Sequence, residues 1–262
     1  MAAFDHALVY VRRLAAACRD YAALGFTVVP GGAHAGEPTE NALVPFADGS
    51  YLELIAFRRP ATHWLLAVLA RLRLLDVVVQ DPLGRRFARR AARGPGLIDL
   101  AASVDAVGPL VAAAARGDEV LHGPIAGRRA TAAGTTIAWE LGVPDSDDLP
   151  LVIGDLTPRA HRASADLSIR HANGARAIEE IVLPVRDVAA TAAWYRDVLG
   201  VAGRADGAAW VLLLGATRLT LVPAAADSAG GRPARLVLAA ARTARLDVRA
   251  AHGAVLDLVA RP

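Results

Sequence analysis

FDHALVYVRRLAAACRDYAALGF (residues 4–26) decides the reading of the fold, because its layout returns as IEEIVLPVRDVAATAAWYRDVLGV (178–201). Each stretch is an alternating apolar run, then a helical run with a tyrosine near its end, then Leu and Gly. With Phe4 set on Ile178, Tyr21 falls on Tyr195. In the first stretch the strand period of two puts Phe4, His6, Leu8 and Tyr10 on one face. Residues 13–23 form an Ala-rich helix ending at Gly25, a residue suited to a left-handed C-terminal cap. His6 falls opposite Glu180, so the frame repeats and the chemistry does not.

Working outward, FTVV (26–29) reads as a second strand and PGGAHAGEPTE (30–40) as a loop. NALVPF (41–46) and YLELIAF (51–57) read as a hairpin around Asp48 and Gly49. The order is β-α-β-β-β. It returns in 97–156, with a strand over 97–104, a helix over 106–116, a hairpin turning at Ala133 and Gly134, and a closing strand over 149–156. A third copy spans 178–222, and a partial fourth lies within 233–262. The expected class is α+β, with repeated βαβββ modules paired into curved-sheet clefts, since one such sheet cannot bury its apolar face alone. The expected domains are 1–160, made of modules 4–57 and 97–156 with a helical Arg-rich insert at 60–94, and a reduced half at 176–262. The polar stretch 157–175 reads as the linker.

Composition narrows the function. With 54% hydrophobic residues in 262, the chain has ample core material. The most apolar helical candidate, 62–79, is interrupted by Arg71 and Arg73, so no bilayer-spanning segment is expected. No signal-peptide pattern precedes Phe4. The single cysteine, Cys18, excludes an intrachain disulfide and reads as core; a reducing, cytoplasmic setting is the expectation. All 29 basic residues are arginine and the net charge is only +3. The dense run GRRFARRAARG (84–94) could bind nucleic acid or anionic lipid, but the reading favoured is a solvated helix face. Neither a nucleic-acid nor a membrane partner is expected. His122 reads as a solvated loop residue and His171 as part of a linker turn.

FDHALVYV, YAALGFTVVPGG, NALVPFADGSYLELIAF and HANGARAIEEIVLPVRD resemble the vicinal oxygen chelate superfamily of bacterial and other proteins, in its glyoxalase-like branch. The resemblance implies the glyoxalase/bleomycin resistance-like fold. In metal-dependent members the first strand of a unit offers a His and the last a Glu, with a divalent metal between two units. Here His6 and Glu53 match. Asp99 aligns opposite His6, while the last strand of the second unit has Ile153 or Gly154 where Glu is expected, beside Asp155. The implied ligand set is therefore incomplete: His6, Glu53 and Asp99, for Mn, Fe, Mg or Zn. Two carboxylates with one His suit Mn, Fe or Mg best.

Glu53 doubles as a candidate base. Tyr10 and Tyr51 share strand faces with His6 and Glu53. Asn41 fixes a ligand carbonyl or caps its loop. Arg129, on a strand paired with that of Trp139, clamps a planar or anionic substrate or is a surface charge. Glu180 and Thr220 hold the matching places in the third unit. The expected activity is that of a small-molecule isomerase, lyase or dioxygenase. The alternative is metal-free binding of a small molecule or drug without turnover. A homodimer is compatible with either.

Overall fold

In the computed structural model, residues 2–33, 38–117, 119–130, 135–162, 169–226 and 230–261 are described. The first module runs β1 (Ala3–Tyr10), α1 (Leu14–Ala23), β2 (Val29–Ala33), β3 (Thr39–Pro45) and β4 (Tyr51–Phe57). An insert follows: α2 (Ala61–Arg71), α3 (Leu75–Val78) and α4 (Pro82–Ala92). The second module is β5 (Gly96–Val104), α5 (Gly108–Ala114), β6 (Leu121–Ala130), β7 (Thr136–Pro144) and β8 (Leu151–Asp155), and a short α6 (Arg159–Arg162) comes after it. The third is β9 (Ala177–Val185), α7 (Val188–Asp197), β10 (Gly203–Asp206), β11 (Ala209–Leu214) and β12 (Thr217–Pro223). The partial fourth is β13 (Arg235–Ala240), β14 (Ala244–Arg245) and β15 (Leu256–Ala260).

Modules one and two share an eight-stranded sheet, β2-β3-β4-β1-β5-β8-β7-β6; the rest form a seven-stranded sheet, β10-β11-β12-β9-β13-β15-β14. The centres correspond. β1 runs parallel to β4 and antiparallel to β5, as β9 does to β12 and β13. β1 is buried on both faces, whereas β9 alternates between buried and partly buried positions; the period of two sends neighbouring β1 residues into different cores. Ala7, Val9 and Val11 enter one core with Tyr21 of α1, Tyr195 of α7, and Ile181 and Leu256 of the second sheet. Leu8 and Tyr10 enter another with Leu66, Leu75, Ala88 and Ala91 of the insert. The first core is continuous across both sheets, so the two halves of the chain bury each other. Each aliphatic side chain buried there, Leu54 for example, contributes about 1.5–3 kcal/mol.

Three local expectations change. The second strand is Val29–Ala33, not 26–29. Gly25 at φ 88° turns the chain so that Phe26 drops into the core, and Pro30 is tolerated because β2 is an edge strand with a register shift there. β10, which the sequence reading lacked, is a fully exposed edge strand without apolar alternation. His171 is buried rather than part of a loose turn. Its Nδ1 accepts from Thr27 N–H at 2.9 Å, its Nε2 lies 3.0 Å from the Pro45 carbonyl, and burial lowers its pKa. The turn expected at Ala133 and Gly134 lies outside the described residues.

The basic run 84–94 is not simply a solvated face. Asp81 caps α4 by accepting from Gly84 N–H at 2.7 Å, with Pro82 in the first turn. Arg86 and Arg90, one turn apart, then point inward and are buried. Arg86 grips Asp99 with two bonds, Nε–Oδ2 2.7 Å and NH2–Oδ1 2.9 Å. Arg90 donates to the carbonyls of Ile98, Asp147 and Gly231, tying the insert to the second half. Arg89 faces outward and pairs with Asp76.

Candidate active site

His6 sits where β1 is irregular. Phe4 pairs with Ala102 and His6 with Ala101, leaving Asp5 as the extra residue. Such a bulge re-aims a side chain. Asp5 Oδ1 thereby meets His6 Nδ1 at 2.7 Å. Asp5 is fully buried; burial alone would raise its pKa, but hydrogen bonds from Arg162 and His6, and their charges, hold it well below the usual carboxylate range. An ionised Asp5 keeps the proton on His6 Nδ1 and turns Nε2 to the cleft.

His6 Nε2 faces Glu53 Oε2 at 3.4 Å. The other oxygen of Glu53 accepts from Asn41 Nδ2 at 2.5 Å. Asn41 is seated against Gly31, where a Cβ would stand 2.2 Å from its Oδ1, so only glycine leaves the amide this room. Tyr51 stacks on His6 with centroids 4.6 Å apart and planes 11° apart. Burial, with the Asp5 charge second, pushes its phenol well above the ordinary range, so it stays protonated.

Arg162 of α6 closes the array from below. It donates to both oxygens of Asp5 at 2.9 and 2.8 Å, to Tyr51 OH at 2.7 Å, and to Asp155 at 2.6 and 3.0 Å. Arg159 also pairs with Asp5. Arg129 donates to the carbonyls of Gly31 and Arg162, at 2.9 Å for the latter. Although it lines the cleft, its guanidinium is committed to holding β2 and α6 together.

The cleft is about 650 Å³ and is lined by both modules and the insert. His6, Asn41, Glu53, Tyr51, Arg129 and Trp139 all reach it. Most of the remaining wall is apolar, from Leu8, Ile55 and Phe57 of the sheet and Leu66 and Phe87 of the insert. Trp139 finds its place because Gly127, paired with it across β6 and β7, leaves space for the indole.

Two expected site residues lie elsewhere. Tyr10 is buried beneath the insert, 3.2 Å from His63 Nδ1, and does not form the cleft wall. Asp99 is enclosed by Arg86 and Arg90 and does not reach the cleft, so it is not available as a ligand there. Register explains why. His6 pairs with Tyr51 as Ala101 pairs with Leu151, so the second module places Ala101 opposite His6 and Ile153 opposite Glu53. Asp5, Arg159, Arg162 and Gly31 were not singled out from sequence. Asp5 sat inside the quoted motif, but nothing in the polar stretch 157–175 marked Arg159 or Arg162.

The fold raises the question of a divalent metal. His6 Nε2 and Glu53 Oε2, 3.4 Å apart, could share one ion. Among the described residues, however, no cluster of three His, Cys, Asp or Glu side chains exists to hold one. A catalytic zinc takes three protein ligands and a non-haem iron two His and a carboxylate. The described cleft donors, His6 and Glu53, fall short of either set.

The model of the Glyoxalase-like domain family matches residues 4–199, and the chain belongs to that family. Among solved structures, a hypothetical protein from Staphylococcus aureus superposes with TM-score 0.73 at 14% identity, each chain covered in full. The Mn(II)-bound glyoxalase from Novosphingobium aromaticivorans gives TM-score 0.58 at 10% identity, over 98% of this chain and 81% of that one. A mutant of 4-hydroxymandelate synthase from Streptomyces coelicolor gives 0.50 at 15%, over 91% and 71%. These likenesses bear on the fold. No relative was found among curated protein sequences.

Proposed function

We propose that this glyoxalase-like chain takes a mainly apolar small molecule into the cleft of its first sheet and moves a proton on it at the His6–Glu53 end. The observation that carries the reading is the Glu53 carboxylate. One oxygen is held by Asn41 and the other stands 3.4 Å from His6, at the polar end of an otherwise apolar 650 Å³ space. A buried carboxylate needs hydrogen-bonded partners, and Asn41 supplies one for Glu53 while its second oxygen is left turned to His6 and the cleft. With Nδ1 engaged by Asp5, Nε2 is the His6 nitrogen that faces Glu53 and the cleft.

In this reading Glu53 removes a proton beside a substrate carbonyl and returns it to the neighbouring atom, and His6 holds or relays it. Asp5 and Arg162 keep the imidazole in one tautomer and orientation. An isomerase or lyase reaction is of this kind. A dioxygenase reaction needs more metal donors than the described residues of the cleft offer, and a Mn(II) ion like that of the Novosphingobium glyoxalase has no part in this reading. Binding without turnover is the second reading, favoured by Ala101 and Ile153 on the side of the second module.

The test is a thermal-shift screen of small carbonyl compounds with apolar bodies, followed by proton NMR in deuterated water on each hit. Ligands that stabilise the parent and exchange a carbon-bound proton only when Glu53 is present support catalysis. Stabilising ligands with no exchange support binding alone. No stabilising ligand at all contradicts both.

A further inference from the structure

The insert carries a second apolar face that the cleft does not use. Of the eleven large hydrophobic side chains exposed among the described residues, seven lie between 64 and 78: Trp64, Leu65, Val68, Leu72, Leu74, Val77 and Val78. On α2 the helical period separates two faces. Thr62, His63 and Leu66 point toward the sheet and cleft, while Trp64, Leu65 and Val68 point out, 66%, 57% and 53% exposed. A helix apolar on both sides is ordinarily covered on both. Seven large exposed apolar side chains concentrated between residues 64 and 78 point to an interaction surface.

Charge selects what covers it. Exposed Arg59, Arg71 and Arg73 flank the patch, and Arg12 lies over the Trp64 ring at 5.9 Å. The acid within 58–79 is Asp76, which is already paired with Arg89. A second copy docking face to face would bring these arginines against one another. An anionic bilayer complements them, and an indole with arginines and leucines suits the headgroup boundary. α2, at 11 residues, is too short to cross, and no helix among the described residues is long and apolar enough to do so. We infer that α2 and α3 dock the protein peripherally on anionic lipid, laying the outward face of the insert in the interface. The inward face roofs the cleft, so the proposed site lies beside the lipid surface.

Co-sedimentation with vesicles of phosphatidylcholine, alone or mixed with phosphatidylglycerol, tests this. Binding to the mixed vesicles, weakened by salt, is expected. The Arg71→Gln and Arg73→Gln changes should each weaken it about fivefold. The Trp64→Ser/Leu65→Ser variant, with an unchanged melting curve, should lose it. Absence of binding to mixed vesicles, or full binding by that double variant, overturns the inference. So does a dimer in sedimentation equilibrium that the same variant disperses, since it would assign the face to a second copy. None of these readouts depends on the cleft ligand.

Discussion

Arg162 and Asp5 stand 157 residues apart in the chain and meet as a two-armed ion pair, at 2.9 and 2.8 Å, beneath the His6 ring. Asp5 is wholly buried and Arg162 nearly so. The charge that orients the imidazole is thus balanced from a segment outside both modules. Removing one partner of a buried pair costs about 3–5 kcal/mol when the other is left uncompensated. Arg159 still pairs with Asp5, so Arg162→Ala should lower the melting temperature by less than the loss of a sole partner would. Arg162→Lys should recover only part, because one ammonium cannot bridge Asp5, Asp155 and Tyr51 together. An unchanged melting curve for Arg162→Ala would show that the pair is not formed.

The same pair sets an acid dependence. The Asp5 pKa is held below its unfolded value, so its contribution is present above about pH 4 and is lost progressively as pH falls further. Asp5→Asn keeps the shape and removes the charge. Urea unfolding from neutral to acid pH should show the parent more stable near neutrality and the gap narrowing below about pH 4. A gap that does not change with pH would mean that Asp5 is not the group responsible.

Gly31 offers a milder probe. Alanine there would place Cβ 2.2 Å from Asn41 Oδ1 and 2.7 Å from its Cγ. The amide must swing away and release Glu53. A hydrogen bond to a charged group contributes about 1.5–3 kcal/mol to stability, so stability should fall by up to about that much. Affinity for a cleft ligand should fall as well, because Glu53 is no longer held in place. Asn41→Ala should do the same, and the double variant no more, because both act through one bond. Additive losses, measured by calorimetric titration, would separate Gly31 from Asn41.

The βαβββ frame was legible because β1 and β9 carry the strand period and the helices end at glycine. His6, Glu53 and Asn41 were legible as ionisable or polar groups on apolar faces. Asp99 was misplaced because alignment counts residues, whereas the irregularities in β1–β5 pairing shift the register and bring Ala101 to that place. Arg86 and Arg90 were hidden in a run that looks solvated; only the fold shows that Asp99 waits for them. Arg162 gave no sign, since a lone arginine in a polar stretch acquires meaning from a partner 157 residues away.

Glu53 and Asp99 should separate function from stability. Glu53→Gln is nearly isosteric and keeps an acceptor for Asn41, so its melting temperature should stay close to that of the parent while ligand response and proton exchange are lost. Asp99→Asn leaves Arg86 and Arg90 as buried cations without their carboxylate, so stability should fall by about 3–5 kcal/mol while folded protein still binds cleft ligands. Glu180→Gln, whose carboxylate accepts from Thr220 at 2.8 Å in the second sheet, should alter neither. Added Mn(II) provides the cross-check. A ligand bound only by the native state raises its melting temperature. With two cleft donors the parent should show little response. A strong response that vanishes in Glu53→Gln would instead make Glu53 a metal ligand and overturn the donor-set argument. Its further loss in folded Asp99→Asn would mean that Asp99 leaves its arginines to reach the ion.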